Sequence, residues 1–243
     1  MKNSELYEVF HSGKKVQRKV INDGNFTYGF TISLLNRYVK PSSSILDIGC
    51  GVGTILLYLA SKGCCVTGID ISLKAITSSK KSACEIGIKT AKFLVKNFPH
   101  EIPKGSFDLI LCLEVLEHLT NDNLALEKIY TMLSKKGTLV ISVPSKNAPL
   151  FRLGLAKEFD KKVGHLRRYT LEELETKTRK LGFKSIASFK TEGIIRNFLF
   201  LNPVAGKFVR FIKFFLIDIV TFIDNVSLRL FGESDIFLIL QKK

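Results

Sequence analysis

The chain has 243 residues, 46% of them hydrophobic, with 37 Lys and Arg against 22 Asp and Glu for a formal net charge of +15. Such an apolar share excludes a disordered chain, and the length suits one large domain or one domain with an appendage. The opening Met1-Lys2-Asn3-Ser4-Glu5 lacks a leader's apolar run, and no stretch reaches the ~18 uncharged apolar residues of a membrane span, so the chain reads as cytoplasmic.

The charge is segmental. Residues 41–134 balance nine basic against nine acidic residues, whereas 135–190 hold fourteen against five and 1–40 hold seven against three. This points to a face that meets something anionic, the alternative being solvated lysines with no partner. The five cysteines, at 50, 64, 65, 84 and 112, have no CxxC spacing and read as buried reduced thiols.

In chain order, residues 1–40 read as an N-terminal helical segment, with Asn25 or Thr27 opening a helix to Val39 before Pro41. Ser44 to Gly49 is a buried strand, Thr54 to Ser61 a helix ended by Gly63, and Cys65 to Ile71 a second strand. Ser72 caps a helix that stops at Gly87. Strands follow at Ala91–Val95 and Phe107–Leu113, then a helix over Asn123–Leu133 and a strand over Gly137–Val143. Beyond a basic segment, Thr170 and Glu173 form a capping box, Gly182 ends that helix, and Phe183–Phe189 is a strand. One long or two short helices fill Pro203–Phe231, and Asp235–Gln241 closes the chain as a strand. This βαβα order predicts a doubly wound, Rossmann-like α/β fold: a mostly parallel seven-stranded sheet, helices on both faces and an antiparallel closing strand. Residues 41–243 form that domain, with a Phe-rich helical insertion at about 194–231.

The first βα turn reads Leu46-Asp47-Ile48-Gly49-Cys50-Gly51-Val52-Gly53. Glycines at 49, 51 and 53 let backbone approach a ligand, and Asp70 ends the next strand, where an acid accepts from both ribose hydroxyls. The third glycine comes one residue earlier than in a dinucleotide GxGxxG loop. Here the sequence resembles the class I S-adenosylmethionine-dependent methyltransferases over residues 44–190. The matching motifs are Leu46–Gly53, Gly68-Ile-Asp-Ile-Ser72, Phe107–His118 and Leu133–Ser142. The resemblance implies S-adenosylmethionine as cofactor, with Gly49, Gly51 and Gly53 along its methionine part and Asp47 anchoring the amino end. It also implies Asp70 and the adjoining Ile71 at the ribose, and Asn97 standing where many relatives place an adenine-facing Asp.

Leu113-Glu114-Val115-Leu116-Glu117-His118 follows the fourth strand, at the edge where open sheets bind ligands. With His165, residues Glu114, Glu117 and His118 form a candidate divalent-metal set, suited to Mg²⁺, Mn²⁺ or Zn²⁺. This run is similar to that of ubiquinone-pathway O-methyltransferases and of small-RNA 2′-O-methyltransferases. Without metal, His118 or His165 is the candidate general base and Glu114 a further candidate catalytic and cofactor-side residue. Lys157, Lys161, Lys162, Arg167 and Arg168 surround His165 and would meet an anionic acceptor group. In the Phe-rich stretch, Phe208, Phe211, Ile212, Phe215, Ile219, Phe222 and Ile223 share one helical side. That side is either packed in the protein, covered by a partner such as a second copy, or laid on a membrane surface or lipid-like substrate.

The expected activity is therefore methyl transfer to an oxygen of a small-molecule, lipid- or quinone-like or carrier-linked sugar acceptor. The rivals are an RNA 2′-O-methyltransferase and a non-catalytic cofactor-binding subunit. Nucleic acid is the weaker partner class, because the basic residues are not interleaved with a stacking platform.

Overall fold

The computed structural model describes residues 3–11, 16–22, 24–25, 27–202 and 217–243. Seven strands are joined in one sheet: β1 Ser44–Ile48, β2 Cys65–Asp70, β3 Ala91–Val95, β4 Phe107–Leu113, β5 Leu133–Pro144, β6 Phe183–Thr191 and β7 Asp235–Lys242. Their spatial order is β3-β2-β1-β4-β5-β7-β6, with β7 antiparallel to both of its neighbours and β1 to β5 parallel. The predicted doubly wound architecture and antiparallel closing strand are both present.

The central strands read as near-continuous apolar runs because helices cover both sheet faces. Alternation along β1 and β4 divides the core in two. Leu46, Ile48, Ile110 and Cys112 pack against Leu126 and Ile129 of α5 (Asp122–Met132) and Leu174 of α8 (Leu171–Lys180). Ile45, Leu109 and Leu111 pack against α2 (Gly29–Leu35), α3 (Thr54–Ser61) and α4 (Leu73–Ile86). Each fully buried Leu or Ile in these layers contributes on the order of 1.5–3 kcal/mol. Helix ends follow the local chemistry: Ser72 Oγ accepts from the Ala75 amide, Gly87 closes α4 in the left-handed region, and Thr170 and Glu173 form a reciprocal capping box.

Some boundaries move. The helix expected from Asn25 or Thr27 to Val39 is shortened to α2, because Asn25 Oδ1 accepts from the Thr27 and Tyr28 amides and makes a turn ahead of it. β5 starts at Leu133 rather than Gly137, with an irregularity in its pairing to β4 between Phe107 and Leu109. Cys50, Cys64 and Cys112 are buried as expected, but Cys65 and Cys84 are exposed, and all five are free thiols. An N-terminal helix, α1 (Asn3–Phe10), lies against α4. Between β4 and α5 the chain makes a single 3₁₀ turn over Leu116–His118.

After β5 come the short helices α6 (Pro149–Arg152) and α7 (Lys157–Val163), and after β6 come α9 (Ile194–Leu201) and α10 (Ile217–Phe231). Phe208, Phe211, Ile212 and Phe215 of the predicted apolar side lie outside the described residues. The part of that side carried by α10 is open to solvent, with Ile219 52%, Phe222 70% and Ile223 45% exposed, while Asp224 is buried. Among the described residues no helix is long and apolar enough to cross a membrane.

Candidate active site

The carboxyl ends of β1, β2 and β4 open into a cavity of about 1210 Å³. After β1 the chain turns through Gly49, whose φ is +72° and whose missing Cβ would stand 2.5 Å from Val115 Cγ2. Only glycine fits there. Gly53, φ +79°, is the N-cap of α3 and packs on Phe93, so it shapes the loop from beneath and does not line the cavity as the sequence reading had it. Asp70 fixes the loop from the neighbouring strand. Its Oδ2 accepts from the Gly51 amide at 2.9 Å and its Oδ1 from the Ser72 amide at 2.8 Å. Asp47 is 5% exposed, and burial followed by the proximity of Asp70 pushes its pKa up to about 8. Gly51, Ile71 and Asn97 stand with Asp47, Gly49 and Asp70 in the same wall.

Helix α1 covers this end. Glu8 Oε1 accepts from the Leu73 amide at the start of α4, and His11 lies over Gly51. Tyr7 meets the His118 ring edge-to-face at 5.6 Å between centroids. Burial, then the charge of Glu117, raises the Tyr7 phenol well above its ordinary value. Neither Tyr7 nor His11 has a motif to mark it in the sequence.

The 3₁₀ turn brings His118 beside His165, with ring centroids 4.8 Å apart. Their Nδ1 atoms face the Gly164 carbonyl at 3.1 Å and Asp160 Oδ1 at 2.9 Å. A carbonyl and a carboxylate only accept, so each Nδ1 carries the proton and each Nε2 keeps its lone pair. Both Nε2 atoms approach Glu117 Oε1, at 3.7 Å and 3.8 Å. Glu117 is fully buried, neither of its oxygens has a hydrogen-bond partner, and burial and then Glu114 raise its pKa well above the usual value. Burial and then His165 lower His118 to about 4, so it is neutral at pH 7.

Ligand atoms of Glu117, His118 and His165 lie within 4.8 Å of one another, a donor set that fits a divalent ion. Glu114 was expected in this set and stands apart from it: with φ +54°, it turns its Oε1 to accept from Ser142 Oγ at 2.6 Å. The expectation for Arg167 and Arg168 is also corrected. Arg168 is buried and bound to both oxygens of Asp160, at 2.8 Å and 2.6 Å, and Arg167 pairs with Asp122 at 3.2 Å. Arg168 is thus neutralised inside the protein, while Arg167, partly exposed, shares Asp122 with Lys177. Asp160 holds His165 and Arg168 together, and sequence reasoning missed it because an acid in a basic run carries no signal of its own.

Known proteins resemble this chain in sequence and in fold. Residues 26–188 match the family model described as "Methyltransferase domain". The ubiquinone biosynthesis O-methyltransferase of Paracidovorax citrulli is 32% identical over 114 residues, 46% of this chain and 48% of that protein. That of Dechloromonas aromatica is 33% identical over 105 residues, 42% of this chain and 45% of that protein. The chain thus spans about half the length of the curated relatives it matches. Among solved structures, the magnesium protoporphyrin IX methyltransferase of Synechocystis PCC 6803 with bound SAH superposes with a TM-score of 0.61 at 17% identity, covering 88% of this chain and 80% of that one. The N-methyltransferase NodS of Bradyrhizobium japonicum WM9, in complex with S-adenosyl-L-homocysteine, does so with a TM-score of 0.64 at 15% identity, covering 100% and 99%. These structural likenesses concern the fold, and the match over 26–188 concerns descent. The chain belongs to the methyltransferase domain family, within the class I S-adenosylmethionine-dependent methyltransferases.

Proposed function

We propose that this protein transfers the methyl group of S-adenosylmethionine to a hydroxyl oxygen of a small-molecule acceptor. The observation that carries this reading is one continuous cavity, walled at one end by the glycine loop and Asp70 and farther along by two proton-accepting imidazole nitrogens. Gly49 and Gly51 take the methionine part, Asp70 the ribose and Asn97 the adenine edge. Asp47, held near neutrality by burial, ionises when the cofactor's ammonium group arrives and anchors it. The acceptor oxygen attacks the methyl carbon in line with the breaking carbon–sulfur bond, whose electron pair stays on sulfur. Proximity supplies most of the rate. The acceptor proton passes to His165 Nε2, and Asp160, bonded to Nδ1, stabilises the imidazolium that forms.

The buried, unpartnered carboxyl of Glu117 favours a second reading, in which Glu117, His118 and His165 hold a divalent ion. When bound, such an ion lowers the pKa of the acceptor hydroxyl. Without the ion both Nε2 lone pairs are available to the acceptor; in the second reading they would be ligands to the ion.

The test uses S-adenosylmethionine labelled in its methyl group, a cell extract as acceptor source, and mass spectrometry of the labelled product. A product carrying the label on oxygen is the expected result. Failure to bind the cofactor, or label on nitrogen or carbon, would refute the reading. Turnover with metal content at zero and chelator in excess would select the His165–Asp160 base and exclude the metal.

A further inference from the structure

Past the two imidazoles the cavity continues to the ends of β6 and β7. Thr191 and Asp235 are register partners there, and the Ser234 amide donates to the carbonyls of both Thr191 and Glu192. Glu192 itself is in the left-handed region, φ +56°, a conformation that a non-glycine residue rarely adopts. The first turns of α9 add Asn197 to the same wall. Asn197 is 6% exposed, and its Oδ1 has no hydrogen-bond partner; neither has the buried Thr191 Oγ1. Buried polar atoms are nearly always satisfied, so two of them in one cavity wall point to a ligand that completes them.

The acids and bases of this wall do not pair off one to one. Arg168 is bound by Asp160, Lys190 by Glu233 at 3.2 Å, and Arg196 by Asp224 at 3.6 Å. Asp224 is further engaged by the Gly193, Ile195 and Arg196 amides at the start of α9. Glu114, Glu192 and Asp235 are left without an ion pair among the described residues, and burial raises all three carboxyls, Glu192 to about 7, so that they sit near neutrality until a cation enters. A strongly basic chain thus presents an acidic chamber to its substrate.

We propose that this chamber is an ammonium subsite: the acceptor is an amino alcohol whose protonated amine sits between Glu192 and Asp235, hydrogen-bonded with Asn197 and Thr191. The proposal rests on the methyl-transfer reading and names its substrate class. A protonated amine has no lone pair to attack a sulfonium, so the amine is the handle and the hydroxyl, directed toward His165, is the group methylated. An anionic acceptor would be repelled here. A neutral polyol could donate to the same oxygens, but only a cation draws Glu192 and Asp235, which burial holds near neutrality, into their charged forms. Among the described residues the one group of His, Cys or carboxylate donors drawn close enough to share an ion is Glu117, His118 and His165, which does not include Glu192 or Asp235.

The test is calorimetric titration of the protein saturated with S-adenosylhomocysteine. The probes are D-glucosamine and tyramine, each against its N-acetylated form, which keeps the shape and removes the charge. At least one free amine should bind tenfold or more tighter than its N-acetyl partner, and Glu192→Gln should abolish that preference while leaving S-adenosylhomocysteine affinity unchanged. Asp235→Asn should do the same, and Glu192, at the chamber's edge, provides the variant less prone to disturb folding. Equal affinity for the charged and acetylated forms, or no binding of either amine, overturns the proposal. So does Mg²⁺ or Zn²⁺ binding that is lost in Glu192→Gln. Loss of S-adenosylhomocysteine binding by the unmodified protein would instead refute the methyl-transfer reading, so the two failures are distinguishable.

Discussion

Replacing Asp160 by Asn removes one charge and little volume from a site where two groups depend on that charge. Arg168, whose side chain is 4% exposed, would keep its charge, its bond to the Ser145 carbonyl at 3.3 Å and its place over the Phe151 ring at 4.6 Å, but lose its carboxylate. Removing one partner of a buried ion pair costs about 3–5 kcal/mol, because the other is left buried and uncompensated. Asn can still accept one hydrogen bond, which places the expected loss near the lower end, about 3 kcal/mol. For a domain of this size that corresponds to a fall in Tm of roughly 6–12 °C. Urea denaturation followed by circular dichroism reads the first number and a thermal scan the second. Burial opposes the Asp160 charge, but the bonds from His165 and Arg168 outweigh it and hold the carboxyl below the usual range. A depressed folded pKa gives stability that is present above the unfolded value of about 3.9 and lost as pH falls through the folded one. The wild type should therefore lose stability below about pH 4 by a component that Asp160→Asn lacks. The double variant Asp160→Asn, Arg168→Gln should lose less than the sum of the single variants. A single-variant loss under 1 kcal/mol, or strict additivity, would show that Asp160 does not hold this corner together.

Gly49→Ala should destabilise by roughly 2–5 kcal/mol, from the left-handed backbone and the contact with Val115, and adding Val115→Ala should recover the steric part alone in denaturant titrations. Asp70→Asn should weaken S-adenosylmethionine binding by roughly 1–3 kcal/mol in calorimetry; unchanged affinity would remove the ribose assignment. Because the folded protein holds His118 near pKa 4, below its ordinary value of 6.5, the metal-free chain is fully stabilised above pH 6.5. It should lose that component as pH falls toward 4, and His118→Asn should flatten this limb of the pH–stability curve.

The parts legible in the sequence are those set by neighbours along the chain. The glycine loop, Ser72, the Thr170 capping box and the alternating strands all depend on residues within a few positions of one another, where backbone chemistry decides the outcome. Asp70 was legible as a strand-end acid, though its hold on the Gly51 amide, 19 residues away, was not. Glu114 shows the limit. Its spacing to Glu117 and His118 suggested a shared ligand, and a left-handed backbone turned it to Ser142 instead. Arg167 and Arg168 looked free because their partners, Asp122 and Asp160, reach them only through the fold. Glu192, Asn197 and Asp235 come together only when β7 settles between β5 and β6. No local pattern announces such a meeting.

The pairing of Thr191 with Asp235 has a consequence for how such a chain can diversify. Everything between those residues, from Glu192 through α9 and α10 to Ser234, leaves and rejoins the sheet at adjacent points of two hydrogen-bonded strands. A segment anchored on so narrow a base can lengthen, shorten or be exchanged with little effect on the strands beneath it, since closure entropy grows only with the logarithm of loop length. That segment carries Asn197 and the acid-capped start of α9, while the glycine loop, Asp47 and Asp70 lie on the opposite half of the sheet. Two residues of the proposed acceptor subsite, Glu192 and Asn197, thus lie on a different piece of chain from the groups proposed to hold the methyl donor. The 192–234 cassette can be grafted between relatives by cutting at two points that the sheet already holds side by side.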